Sequence, residues 1–179
     1  MKTMSKKTLP EILVSVQALD KSFDHIPAVK AISFEIKKGE TFGFLGPNGA
    51  GKTTTINMLA TYMKPDSGDA VIAGKSVEHD EREVKKLIGF VPQELSVYND
   101  LTARENLEFF GAVYSLPKAV IRERTDELLE FVGLKEETKK RVKQFSGGMK
   151  RRLNIAAGLM NRPVSVSYTH LTLPTNREV

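Results

Sequence analysis

An α/β domain is what this sequence predicts, and three observations point to it. The first hundred residues hold several short alternating or continuous apolar runs bounded by glycine and proline turns. A glycine-rich stretch, GPNGAGKT, separates one of these runs from a segment with helical apolar spacing. Residues 102–161 then carry apolar side chains at helical intervals, with polar capping residues between the blocks.

Residues 1–11 are polar and basic and read as a flexible leader. Residues 12–19 alternate well enough for a strand. Residues 29–36 alternate too, with Lys30, Ile32, Phe34 and Ile36 on a largely apolar face. Lys38, Gly39 and Glu40 make a turn. Residues 41–45 (TFGFL) are short and mostly apolar, as a buried strand requires. Gly46 to Gly51 is a loop, and residues 52–63 form a helix with Ile56, Leu59, Ala60 and Met63 on one face. A turn at 65–68 precedes a strand at 70–73. A short charged helix at 81–87 leads into a strand at 88–91 that ends at Pro92.

The helical half follows. Thr102 is a good N-cap, and Glu105 three residues on completes a capping box. That helix runs to about Tyr114 and buries Leu107, Phe110, Ala112 and Val113 in part. A second helix, 119–132, buries Ile121, Leu128, Leu129, Phe131 and Val132, and Gly133 stops it. Ser146 caps the last helix, with Leu153, Ala156, Ala157 and Met160 on one face. There is no internal repeat and no low-complexity segment.

Composition narrows the function classes. With 179 residues the chain can bury one substantial core; its 40% hydrophobic and 27% charged residues are ordinary for a globular domain. The formal net charge of +5 suits a polyanionic ligand such as a nucleotide phosphate but is too weak to argue for nucleic acid, and no direct nucleic-acid partner is expected. There are no cysteines, which excludes disulfides, cysteine-bound zinc and thiol chemistry. No apolar run approaches the roughly 18 residues of a membrane span, and the basic start lacks the apolar core of a signal peptide. The expected location is the cytoplasm.

GPNGAGKT fits G-x-x-x-x-G-K-[ST] between an expected strand and an expected helix, the context that the motif needs. Glycines let successive backbone N–H groups point inward at a phosphate without steric cost, and the helix start adds its positive dipole end. Gly46, Pro47, Asn48, Gly49, Ala50 and Gly51 form the cradle. Lys52 supplies a mobile charge for the outer phosphates. The Thr53 hydroxyl suits Mg²⁺, and Thr54 is a neighbouring phosphate donor. GTPases, nucleotide kinases, helicases and transporter ATPases all use such a loop. The N-K-x-D element of guanine recognition is absent; Asn161-Arg162-Pro163 does not fit it.

Two further stretches make residues 12–163 resemble the ATP-binding subunit of ABC transporters. FSGGMKRRLNIAAGLMNRP, Phe145 to Pro163, looks like the signature motif and its helix, and FVPQE looks like the Q-loop, giving Gln93. Phe23 falls where the family places an adenine-stacking aromatic, tyrosine being commoner there. Phe145 and Met149 stand where leucine and glutamine are commoner. The resemblance implies a P-loop NTPase α/β core with an antiparallel β subdomain and an α-helical subdomain. It implies ATP and Mg²⁺ as cofactors, Lys52, Gln93 and Ser146 in catalytic roles, and Thr53 and Gln93 at the metal. It places Ser146, Gly147 and Gly148 on the nucleotide of a second subunit packed head to tail, as a homodimer or heterodimer. A transmembrane permease is the other partner, holding the subunit peripherally at the cytoplasmic face of the plasma membrane. The segment after Gln93 and the FSGGM form look most like exporters of the drug, polysaccharide or ABC-2 type. A non-transport ATPase of translation or DNA repair, and a dimerisation module without turnover, are the alternatives.

Family members continue after the signature helix with an apolar strand ending in Asp-Glu, then a histidine about thirty residues on. Here no acidic residue stands between Glu137 and Glu178, and the three histidines do not match the switch position. His25 and His79 are expected to be solvated, and His170 belongs to the tail. VSYTHLTLPT resembles a translated transposon-type sequencing adapter. On that reading residues 12–164 are a partial ATP-binding domain that lacks the C-terminal part of its core, and 165–179 are a non-native tail. Poor solubility, weak ATP binding and negligible hydrolysis are the expected consequences.

Overall fold

The computed structural model describes residues 11–92 and 94–168, so most of the expected leader, the tail beyond Tyr168 with His170, and Gln93 lie outside the described residues. The chain divides into two units, Met1–Leu87 and Ile88–Val179.

In the first unit, β1 (Ile12–Phe23) and β2 (Ile26–Lys37) form an antiparallel hairpin in which Val14 faces Ile36 and Val16 faces Phe34. Asp24 and His25 make its turn, both with positive φ (47° and 64°), the backbone that a two-residue turn needs to match strand twist. β3 (Ser67–Ile72) pairs antiparallel with the other edge of β1, and β4 (Lys75–Ser76) extends the sheet to the order β2-β1-β3-β4. Both strands of the hairpin outrun their expected bounds, because ladder pairing extends past the alternating apolar run. Val14, Val16, Leu19, Val29, Ala70 and Ile72 are buried. Asp66 ties the hairpin to the turn before β3, accepting from the Lys21 ammonium and from Ser22 N at 2.7 Å. A short charged helix, α2 (Glu81–Leu87), closes the unit where it was expected.

Residues 41–45 differ from expectation. They form no strand, and Leu45 is 87% exposed. A strand is defined by its ladder, and among the described residues this run has no ladder partner. Its two phenylalanines pack instead on β2: Phe42 stacks on Phe34 at 4.9 Å between ring centres, and Phe44 meets both edge-on at 5.3 and 5.2 Å.

α1 (Lys52–Leu59) is shorter than the apolar spacing suggests. Thr61 N donates to Met58 O and Tyr62 N to Asn57 O, the paired bonds that close a helix with a left-handed residue. That residue is Thr61, at φ +58°. α4 (Lys118–Phe131) ends in the same way at Gly133, φ +65°, as its sequence position predicts.

In the second unit, β5 (Ile88–Val91) pairs in parallel with β6 (Ser165–Tyr168), Ile88 facing Ser165 and Val91 facing Tyr168. The strand is built from residues that sequence analysis set apart from the domain. α3 (Ala103–Val113), α4 (Lys118–Phe131) and α5 (Gly147–Gly158) enclose a core of Leu107, Leu128, Leu129, Leu134, Leu153 and Met160. The capping box forms: Thr102 Oγ1 accepts from Glu105 N at 3.2 Å, and Glu105 Oε2 accepts from Thr102 N at 2.8 Å.

Two helix faces are rotated from expectation. The inner stripe of α3 is Ala103, Leu107 and Gly111, one turn apart, which leaves Val113 61% exposed. A Cβ on Gly111 would fall 2.8 Å from Ile121 and 2.9 Å from Met160, so absence of a side chain, not an apolar one, marks the contact. In α4 the stripe is Ile121, Thr125, Leu128 and Leu129, and Phe131 points out at 73% exposure.

A β-branched residue with positive φ is strained, so Thr61→Gly should raise stability by about 1 kcal/mol in urea unfolding. The Asp66 carboxyl is held below its ordinary value of 3.8, first by the Lys21 hydrogen bond and then by Ser22 N–H. Glu105 is held below 4.5, first by Thr102 N–H and then by its hydroxyl. Each folded carboxyl gives up its proton at lower pH than the unfolded one does. Its contribution is therefore complete above the ordinary carboxylate range and fades as pH falls through the folded value. Melting temperature should drop between about pH 5 and 3, and Asp66→Asn should flatten part of that drop.

Candidate functional site

Gly46–Thr53 crosses from the aromatic packing on β2 to the first turn of α1. Gly51 is the N-cap, with φ +79° and no side-chain cap. A Cβ there would lie 2.3 Å from Ala28 O and 3.1 Å from Val29 Cγ2. Glycine is thus required twice, by backbone conformation and by the close approach of β2. Gly49 also has a positive φ, 83°, but with open space around it. Thr55 locks the first helical turn, its N–H and its hydroxyl both donating to Gly51 O at 2.8 and 2.9 Å.

Lys52 folds back over the loop. Its ammonium donates to Gly46 O at 2.8 Å and to Pro47 O at 2.7 Å. The loop carbonyls turn to this cation, and the first turn of α1 carries no acidic residue to neutralise the helix start. A pocket of about 340 Å³ opens here, walled by Pro27, Val29, Lys30, Phe44, Gly49 and Lys52 among others. Thr53 is exposed and Thr54 half-buried. Phe23 ends β1 opposite Ile26, is 45% exposed, and is not part of the pocket wall; the Lys21 ammonium lies 5.9 Å from its ring centre.

The loop's glycines and N–H groups fit a polyphosphate, with Lys52 free to exchange two carbonyls for phosphate oxygens. For a divalent cation the protein offers less. Among the described residues no group of three or more His, Asp or Glu is gathered. A cation would need phosphate oxygens, with the Thr53 hydroxyl as its protein ligand.

In the second unit Ser146 caps α5, its Oγ accepting from Met149 N at 3.3 Å. Gly147 and Gly148 are exposed, and a Cβ on either would meet nothing within 4 Å. Neither packing nor backbone requires glycine at these two positions, which put no side chain beside the Ser146 cap. Phe145 is buried in the helical core, and Met149 packs against it. Gln93 lies outside the described residues. Its neighbour Pro92 is held by α5: Pro92 O accepts from Arg151 Nη1 at 2.8 Å and from Asn154 Nδ2 at 3.4 Å.

The structure therefore assembles Gly46–Thr53 as one site in the first unit, with Phe23 outside its wall, and places Ser146–Gly148 in the second. Sequence reasoning missed two buried amides of the second unit, Asn106 and Asn154. The signal was present: each is a polar residue beside the apolar stripe of its helix, next to Leu107 and Leu153.

A family model described as "ABC transporter" matches residues 29–166. The linearmycin resistance ATP-binding protein LnrL of Bacillus subtilis (strain 168) is 46% identical over 151 residues, covering 84% of this chain and 49% of that protein. The Nod factor export ATP-binding protein I of Ralstonia nicotianae is 40% identical over 151 residues, covering 84% and 47%. The doxorubicin resistance ATP-binding protein DrrA of Mycobacterium tuberculosis (strain H37Rv) is 43% identical over 138 residues, covering 77% and 42%. Among solved structures, cbiO1 from Clostridium perfringens, part of the ABC transporter complex cbiONQ, superposes with a TM-score of 0.80 at 26% identity, covering 89% of this chain and 65% of that one. The chain spans about half the length of the curated relatives it matches.

Gly51→Ala should cost about 2–4 kcal/mol, since it adds a clash with backbone to a strained φ. Gly49→Ala, strained but unobstructed, should cost about 1 kcal/mol. Equal losses in urea unfolding would contradict the close approach of β2.

Proposed function

The chain belongs to the ABC transporter family, and on that footing we propose that it is the ATP-binding part of a subunit that binds and hydrolyses ATP to power transmembrane transport. The observation that carries this reading is the Gly46–Thr53 loop, closed on the bare start of α1 with the Lys52 ammonium across its rim. Backbone N–H groups of the loop bind the inner phosphates, and Lys52 leaves Gly46 O and Pro47 O to reach the outer ones. Thr54 adds a hydroxyl to the phosphates, and the Thr53 hydroxyl would hold Mg²⁺. When bound, Mg²⁺ neutralises charge that builds on the phosphate oxygens. Phe23 presents a ring to the adenine.

Export is the favoured direction, because the relatives are named as resistance and export proteins. The same names argue against a role in translation or DNA repair. Ser146, Gly147 and Gly148 contact the nucleotide of a second subunit arranged head to tail, where the N–H groups of α5 and the Ser146 hydroxyl stabilise the terminal phosphate. A permease is the membrane partner, and the location is the cytoplasmic face of the plasma membrane. No helix among the described residues is long and apolar enough to cross a membrane.

Residues 12–164 are proposed as the native, partial domain, with 165–179 as a non-native tail. Between Glu137 and Glu178 no carboxylate is present to polarise an attacking water. This chain should therefore bind ATP weakly and turn it over negligibly. Titration with ATP and Mg²⁺ tests both statements. Lys52→Ala removes charge-assisted hydrogen bonds of about 1.5–3 kcal/mol and should weaken binding about ten- to a hundredfold. An affinity indifferent to Lys52 would contradict the site, and ordinary phosphate release would contradict the impairment.

A further inference from the structure

The end of the β1–β2 hairpin runs past the strand that supports the rest of it. β3 begins at Ser67, opposite Asp20, so the last three residues of β1, Lys21, Ser22 and Phe23, ladder with β2 alone. On their other side stands one side chain, that of Asp66. Asp66 N donates to Asp20 O at 3.0 Å, which fixes the residue at the end of the β1–β3 ladder. Its carboxylate then accepts from Ser22 N at 2.7 Å and from the Lys21 ammonium. Ser22 N–H thus meets a carboxylate oxygen where a longer β3 would have offered a carbonyl.

The same carboxylate holds a cation against Phe23. Residues two apart on a strand share a face, and the Lys21 ammonium stands over the Phe23 ring, 5.9 Å from its centre. The Lys21 side chain is only 17% exposed, and Asp66 keeps its charge in place. An exposed ion pair adds little to stability by itself. This one fixes both the backbone before Phe23 and the cation on its ring, while the residue stays 45% exposed.

We propose that Asp66 is a positioning residue for the base of the nucleotide, setting the Phe23 ring through Ser22 N–H and the Lys21 ammonium. The proposal rests on the reading of Phe23 as the adenine contact given above. A second route is open to the same carboxylate. Val29 and Pro27, the ladder partners of Lys21 and Ser22, wall the pocket at the phosphate loop. Loss of Asp66 felt through them would weaken phosphate binding; loss felt through Phe23 would not. Inorganic tripolyphosphate, which has the phosphates and no base, separates the two routes.

In the full chain with Mg²⁺, Asp66→Ala should weaken ATP about three- to tenfold, the scale of one aromatic contact, and leave tripolyphosphate within about twofold. Phe23→Ala should weaken ATP by a similar factor. Adding Asp66→Ala to Phe23→Ala should then cost less than about twofold more, because both act through one ring. Lys21→Met keeps the stem and removes the ammonium; it should reproduce part of the ATP loss and serves if Asp66→Ala does not fold. Equal weakening of both ligands overturns the proposal. So does an Asp66→Ala chain that keeps its ATP affinity while Phe23→Ala loses it, a result that leaves the reading of Phe23 standing. If Phe23→Ala itself binds ATP unchanged, that reading falls and the proposal falls with it. The chain has no tryptophan, so Phe23→Trp places a single reporter at the ring. ATP should quench its emission and tripolyphosphate should not, and Asp66→Ala should at least halve the quench at saturation. An undiminished quench would overturn the role of Asp66.

Discussion

The contact between Gly51 and β2 is the constraint on which the candidate site depends. The α1 start can come this close to the carbonyl of Ala28 only because position 51 has no side chain. With the helix start set against the strand, the loop from Gly46 has a fixed end, and Lys52, the first residue of α1, is within reach of the carbonyls at the loop's other end. The hydroxyl of Thr55 then secures the turn from inside. An anion site made of backbone N–H groups is useful only if those groups hold their direction before the ligand arrives. Here the direction is fixed by a steric contact with the sheet and not by a side-chain cap.

The second unit solves a related problem differently. Among the described residues of its irregular segment after β5, backbone groups of Pro92, Ser96, Tyr98, Asn99 and Leu101 are satisfied by side chains from α3 and α5 and by N–H groups before Ser146. Helix starts are also treated in two ways. α3 begins with Thr102 and Glu105, which satisfy its free N–H groups and place a carboxylate near its positive end. α1 and α5 begin with glycines at or just after the cap and have no acidic residue in the first turn. The first arrangement closes a helix with a capping box and a carboxylate; α1 starts with no side-chain cap, and α5 carries only the Ser146 hydroxyl on Met149 N.

Much of this was legible in the sequence wherever cause and effect are close in the chain. The glycine loop that leads into α1, the Thr102–Glu105 box, the Ser146 cap and the stop at Gly133 each depend on a few neighbouring residues, and each forms where it was expected. Features that depend on distant partners were not legible. Residues 41–45 have the composition of a strand but lack a ladder, and Ser165–Tyr168 find one on β5 that no local pattern announces. Phe131 and Val113 look like core residues until the stripes of α3 and α4 are set by Gly111 meeting Ile121 and Met160. Thr61 closes α1 in a conformation that its own side chain disfavours, so propensity pointed past the true end.

On the proposed function, the backbone of Gly46–Thr53 is itself the receptor for a triphosphate. Amide-resolved NMR of the isotopically labelled chain, titrated with ATP and Mg²⁺, tests it most directly. The largest shifts are expected at the N–H groups of residues 49–54, with smaller changes at Val29 and Lys30 in the pocket wall. Shifts centred elsewhere, with those amides unmoved at saturation, would contradict it.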